Sequence, residues 1–191
     1  MSRKIAIGVA KSHFANVKAL RQKWENLVAV LKDAKQGVKE GSGWVAAEIS
    51  NGPRKLEYIE SISLIVFDID NKGDVLRQDA IMELIDKAGY KAILHSTYNH
   101  TPESPRYRLI LDISEPIKPK HHKNILLYIA QKLGISNYID KACLDAARFF
   151  YRPRYSKEQC STFEFWSTDG DPVNVQDCLN QISYRNDAVP A

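Results

Sequence analysis

Residues 62 to 70, ISLIVFDID, constrain the fold of this 191-residue chain more than any other stretch. Successive side chains of a strand point to opposite faces. Ile62, Leu64 and Val66 therefore share one face, and Ile65, Phe67 and Ile69 share the other. A strand apolar on both faces belongs in the middle of a sheet that is covered on both sides. This one ends on Asp68 and Asp70, which point the same way from positions roughly 7 Å apart along the backbone. Buried carboxylates are costly unless paired or bound to a cation. The end of the strand needs a partner.

The elements around it read as follows. RKIAIGVA is a first strand, and the spacing of Val17, Leu20, Trp24, Leu27, Val28 and Leu31 predicts a helix from Asn16 to about Lys35. Gly37, Gly41 and Gly43 break the chain before a strand in WVAAEIS, and Asn51-Gly52-Pro53 is a turn. Ile81, Leu84, Ile85 and Ala88 mark a second helix that stops near Gly89. KAILHST and RYRLILDI are strands joined by a polar loop with prolines, and Pro119 opens a third helix. ARFFYR and TFEFWS are later strands, a short helix covers Val175 to Ile182, and residues 186–191 form a polar tail. This order predicts an α+β fold with helices packed on a mixed or antiparallel sheet. No linker or repeat divides residues 1–185, so one domain is expected.

Composition narrows the setting. A formal charge of +4 permits a nucleic-acid partner without demanding one. No run of 18 apolar residues is present, and the start, MSRKIAIGVAKSH, does not read as a secretory signal. Cys143, Cys160 and Cys178 lie far apart without CxxC spacing, as reduced thiols of a cytoplasmic protein would.

Two further stretches bear on the two aspartates. In HSTYNHTPESPRYRLILDI, residues 95–113, Arg106 and Arg108 share a strand face, and paired guanidiniums suit a polyphosphate. By themselves they also suit a solvated edge strand, and His100 in the preceding loop suits an ordinary surface position. YIDKACLDAARFFYRPRY, residues 138–155, supplies Asp140 and Asp145, then Arg148, Arg152 and Arg154 among aromatic residues. Acids followed by arginines and aromatics fit a cation ligand beside a nucleotide or template groove. A salt-bridged core strand is the plainer alternative.

Taken in order, these motifs resemble the catalytic core of the archaeo-eukaryotic primase superfamily, the primase-polymerases, especially those of phage and plasmid replication proteins. The likeness spans about residues 43–155. An apolar strand ending in DxD is similar to the family's first motif and implies metal-ligand and catalytic roles for Asp68 and Asp70. YIDKACLDAARFF is similar to the third, which implies Asp140 as the third acid and Arg148 as a nucleotide contact; Asp145 is the competing acid. The family's second motif places a histidine where this chain has Arg106-Tyr107-Arg108. Arg108 therefore stands in for that histidine, or His100 supplies the imidazole from the preceding turn.

The resemblance implies an RRM-like palm with an N-terminal α/β part. It implies two Mg²⁺ or Mn²⁺ ions on Asp68, Asp70 and Asp140, and a (d)NTP gripped by His100, Arg106, Arg108 and Arg148. It also implies a single-stranded DNA template along Arg152, Arg154 and Tyr155. The expected activity is template-directed nucleotidyl transfer, as in a DNA primase or polymerase of a phage, plasmid or other mobile element. No GxxxxGK[ST] segment occurs, so unwinding in replication falls to a separate helicase or to a C-terminal region outside this sequence. Two rivals remain: a non-catalytic replication-initiator or nucleic-acid-binding module on the same fold, and a DxD phosphatase. The phosphatase reading leaves the arginines of residues 106–154 without a use.

Overall fold

The protein, described by a computed structural model over residues 3–71 and 73–187, is built around a five-stranded antiparallel sheet. Among the described residues its strands are β5 (Ala47–Ile49), β6 (Ile59–Asp70), β7 (Lys91–Ser96), β8 (Arg106–Ile117) and β11 (Phe165–Asp169), in the order β11-β7-β8-β6-β5. The doubly apolar strand predicted from the sequence is β6, which lies between β8 and β5.

Its two faces are covered by different layers. Ile65, Phe67 and Ile69 join Leu109 and Leu111 of β8 in a core with Ile81 and Ile85 of α2 (Gln78–Ala88), Ile125 and Ile129 of α3 (Pro119–Lys132), and Val175 of α4 (Val175–Asp187). Leu64 and Val66 face the other way and pack with Ile93 and Ile110 against Ile5, Ile7, Trp24, Leu27, Leu31 and Trp44. Ile62 does not share their face. A register shift between Ile62 and Leu64 against β8 turns it into the helix-side core, because a one-residue slip reverses side-chain direction.

The second cover is a four-stranded antiparallel sheet, β2-β1-β4-β9, together with α1 (Trp24–Lys32). Here β1 is Ile5–Ala10, β2 Lys18–Gln22, β4 Gly43–Val45 and β9 Phe150–Tyr151. The helix expected from Asn16 starts only at Trp24, since Lys18–Gln22 returns beside β1 as a hairpin. Val17 is buried and exchanges backbone hydrogen bonds with Gly52, while Leu20 is exposed. The stripe that suggested a helix therefore combines residues of two elements. WVAAEIS is likewise divided: β4 joins the smaller sheet and β5 the larger. Gly43 lets β4 approach β9, since a Cβ there would press on the Phe150 carbonyl and the Phe149 ring.

A short parallel pair, β3 (Lys35–Gln36) with β10 (Arg154–Tyr155), lies beside these sheets. Of the expected strand TFEFWS, residue 162 closes a 3₁₀ turn (Lys157–Thr162) and pairing as β11 begins at Phe165. Helix α4 runs past the predicted start of the polar tail, to Asp187; residues 188–191 and the Cys160 side chain lie outside the described residues.

Candidate active site

Asp68 and Asp70 continue the row of Leu64 and Val66, and they sit where the apolar cover of that face gives out. The register of β6 with β8 then sets an arginine opposite each acid: Arg108 opposite Asp68 and Arg106 opposite Asp70. Arg108 Nε donates to Asp68 Oδ1 at 2.6 Å, Nη1 donates to the Tyr151 carbonyl at 3.0 Å, and the guanidinium lies 4.7 Å from the Phe150 ring centre. Arg106 Nη1 reaches Asp70 Oδ1 at 3.4 Å. Buried charge is thus paired and hydrogen-bonded, the condition under which it is tolerated.

Asp140 arrives from a segment seventy residues later by backbone pairing. Its N–H donates to the Asp68 carbonyl, the Asp70 N–H donates to the Tyr138 carbonyl, both at 2.8 Å, and Ile139 bridges Ile69. Asp140 Oδ1 accepts from the Ala142 N–H, which caps the 3₁₀ turn Lys141–Leu144. Its Oδ2 lies 3.6 Å from Arg148 Nη2, and Asp68 Oδ2 lies 3.9 Å from that same nitrogen. Two carboxylates from remote segments therefore converge on one positive charge. Beneath them the Asp68 N–H donates to Cys143 Sγ at 3.0 Å. Burial first, and the Asp68 charge second, push that thiol up to about 12, so it stays protonated and serves packing.

These groups line a cavity of about 260 Å³. Asp68, Asp70 and Asp140 meet there with Arg106, Arg108, Arg148, Arg152, Arg154 and Lys39. Among the described residues that is six basic side chains against three carboxylates, a balance that favours a polyanionic ligand. Arg154 lines the cavity, yet its Nη1 also reaches the carbonyls of Val38 and Glu40, at 3.4 and 3.3 Å.

Three sequence-derived candidates lie elsewhere. His100 is buried outside this cavity: its Nδ1 accepts from the Arg106 N–H at 3.2 Å, its ring is 5.1 Å from that of Tyr107, and Nε2 is 3.8 Å from Glu164 Oε2. The reason is strand parity, since Tyr107 faces away from Arg106 and Arg108. Burial, and then Glu164, raise the Tyr107 phenol above its ordinary value. Tyr155 sits with His100 on a separate small cleft, its ring 6.4 Å from that of Phe163. Asp145 does not reach the cavity either; its Oδ1 accepts from the Ala147 N–H at 2.9 Å. Of the two acids open as the third, the fold brings Asp140 to the others.

The sequence did not single out His95, which lines the cavity from β7. It pairs with Arg108, as Asp68 does from the opposite side, so the three form a row across the sheet. Its Nδ1 is 2.9 Å from the Ser96 carbonyl, and its buried Nε2 has no partner among the described residues. Burial first, and the Arg108 charge second, hold the ring near a pKa of about 4. A histidine closing a buried strand, next to the loop that carries His100, was the signal available.

The donor set has the chemistry of a hard-cation site, oxygen ligands on a shared surface. Among the described residues no group of three His, Cys, Asp or Glu side chains is disposed to hold an ion. Arg148 Nη2 lies 3.9 Å from the Asp68 carboxylate and 3.6 Å from that of Asp140 instead, and its side chain is 37% exposed.

Comparison with known proteins bears on the fold and the family. The family described as VapE N-terminal domain matches residues 4–189. The fold is similar to that of the "Cyanophage S-2L Primase-Polymerase (PrimPol), AEP domain", with a TM-score of 0.51 over 92% of this chain and 88% of that one, at 11% sequence identity. Curated protein sequences give no match. The α+β architecture and the primase-polymerase likeness expected from the motifs hold at the level of fold. No helix among the described residues is long and apolar enough to cross a membrane.

Proposed function

This chain belongs to the VapE N-terminal domain family, and from that premise we propose that it is a primase-polymerase catalytic domain serving replication of a phage, plasmid or other mobile element. The observation that carries the reading is the meeting of Asp68, Asp70 and Asp140 with Arg106, Arg108 and Arg148 in one cavity. On this reading a nucleoside triphosphate enters with its phosphates toward the arginines, whose planar guanidiniums fork onto phosphate oxygens. Arg106 and Arg148 are half-exposed and able to turn toward a ligand. Arg108 is buried, so its part is to fix the Asp68 carboxylate and present charge from below.

Asp68 and Asp140, with Asp70 beside them, would hold Mg²⁺ or Mn²⁺ once Arg148 turns from the carboxylates to the phosphates. The chemistry such ions supply when bound is neutralisation of phosphate charge and activation of a hydroxyl. The reaction is attack of a primer 3′-hydroxyl on the α-phosphorus, with the bond to pyrophosphate breaking. The template strand is assigned to Arg152, which lines this cavity and also a neighbouring one of about 390 Å³ with Lys11 and Lys18 on its walls. Phe14, 94% exposed on the loop between those lysines, offers a base a stacking surface. His100 is assigned a positioning role through the Arg106 backbone, and Tyr155, expected along the template strand, is assigned no part in holding it, since it lies on the separate cleft.

One observation favours the alternative of a binding module without catalysis: each of the three acids already has an arginine within ion-pair distance. The two readings separate in one assay. Labelled NTPs or dNTPs are incubated with single-stranded template and Mg²⁺ or Mn²⁺, using wild type and the Asp68→Ala/Asp70→Ala variant. Incorporation by wild type alone supports catalysis. Template binding without incorporation, equal in both proteins and unchanged by chelator, supports the binding module.

A further inference from the structure

The imidazole of His95 is a buried group of the cavity with no task in the proposed nucleotidyl transfer. It is 1% exposed, and its Nδ1 sits 2.9 Å from the Ser96 carbonyl. A carbonyl only accepts, so Nδ1 carries the proton and Nε2 is left as an acceptor. His95 lines the cavity, and its buried Nε2 finds no donor among the described residues. A buried acceptor without a partner is unfavourable until a ligand or water supplies a proton.

The ligand's chemistry is limited by what such an acceptor can hold. Phosphate oxygens of a triphosphate are themselves acceptors and gain nothing from it. A cation is disfavoured, because Arg108 occupies the position between His95 and Asp68 in the row across β7, β8 and β6, and its charge acts on His95. The remaining donors of a nucleotide are base amines and sugar hydroxyls. The bases carry their N–H groups at different positions, and thymine and uracil have no amine at all, whereas every nucleotide of one class presents the same sugar. An enzyme that must accept all four therefore needs a fixed acceptor at the sugar.

We propose that His95 Nε2 accepts a hydrogen bond from a sugar hydroxyl of the bound nucleotide and thereby sets the sugar preference of the site. The inference rests on the primase-polymerase reading and adds a specificity residue to it. Whether the donor is the 2′- or the 3′-hydroxyl is resolved by the ligand series.

The test is equilibrium binding of NTP, dNTP, ddNTP and inorganic tripolyphosphate to wild type, His95→Leu and His95→Gln. Loss of one neutral hydrogen bond predicts that His95→Leu weakens the hydroxyl-bearing nucleotide by roughly five- to tenfold. Tripolyphosphate affinity stays within about twofold, because the arginines are untouched. If the 2′-hydroxyl is the donor, the wild-type preference for NTP over dNTP disappears in His95→Leu; if the 3′-hydroxyl, the preference for dNTP over ddNTP does. His95→Gln, which carries an amide oxygen to a similar position, restores part of the discrimination.

A second measurement uses only the wild type, so it does not depend on the variants folding. The imidazole ¹⁵N spectrum of His95 shows an unprotonated Nε2 whose resonance shifts on adding the preferred nucleotide and not on adding tripolyphosphate. Equal loss of tripolyphosphate and nucleotide binding in His95→Leu overturns the proposal. So does an unmoved Nε2 resonance with the nucleotide bound. Failure of wild type to bind any of the four ligands overturns the primase-polymerase reading, and this inference with it.

Discussion

The two faces of the five-stranded sheet are built from alternate residues of the same strands, yet they do different work. Toward α2 and α3, Phe67, Ile69, Tyr107 and Leu109 carry the apolar core on to the strand ends. Toward α1 and the smaller sheet, Val66 and Ile110 give way within two residues to Asp68 and Arg108. The change falls where the second cover stops and the cavity opens. A single pleat can thus hold a fold together on one side and present a charged site on the other. What separates the two is how far the covering layer reaches.

The sharpest test of that division sets Asp70→Ala against Phe67→Ala. Asp70→Ala lowers nucleotide incorporation by at least about 10³-fold while stability in urea changes by less than about 1 kcal/mol, since its side chain is on the cavity rim and its ion pair is loose. Template binding, read by fluorescence anisotropy, is retained. Phe67→Ala is the reverse case: stability falls by about 3–5 kcal/mol, and any protein still folded binds nucleotide as before. A large loss of stability in the aspartate variant would mean that the charged face also holds the fold together.

Acidification comes next in size. The His95 ring is held neutral when folded, with a pKa of about 4, and takes up a proton near 6.5 when unfolded. Its pKa is lowered by folding, so stability is full above about 6.5, declines as pH falls toward 4, and levels below that. The loss expected from this group is about 3 kcal/mol. Burial lowers the His122 pKa as well and adds to the decline. Urea unfolding across this range should show a shallower slope in His95→Gln. The same slope in both proteins would place the acid sensitivity elsewhere.

Arg106→Ala gives the smallest of these effects. Nucleotide affinity drops by about tenfold and affinity for single-stranded DNA by less than about threefold. Equal losses would make Arg106 part of a general nucleic-acid surface and not of a triphosphate pocket.

How much of this was readable in the chain follows the same two faces. β6 was legible because a doubly apolar strand has few places to go, and the DxD end and the arginine pair on β8 stood out by parity. The hairpin of β1 and β2 was not, because Val17, Leu20, Trp24 and Leu27 happen to fall at helical spacing, while only pairing with β1 reveals that Leu20 is exposed. The choice of Asp140 over Asp145 depended on the bridge between Ile139 and Ile69, a long-range register that no local pattern encodes. His100 drew attention by its place in the loop, yet it lies beside Tyr107, away from the arginine row. His95, one residue in a buried strand, shows its meaning only once Arg108 and Asp68 are seen in line with it.

In the proposed reaction, carboxylates about seventy residues apart in sequence act together on a cation needed for nucleotidyl transfer. Manganese binding followed by electron paramagnetic resonance, with and without nucleotide, tests it most directly on wild type and Asp140→Ala. Wild type is expected to sequester Mn²⁺, more tightly with nucleotide present, and Asp140→Ala to lose at least about tenfold in affinity. Equal Mn²⁺ binding by the two proteins, or none by either, would contradict it.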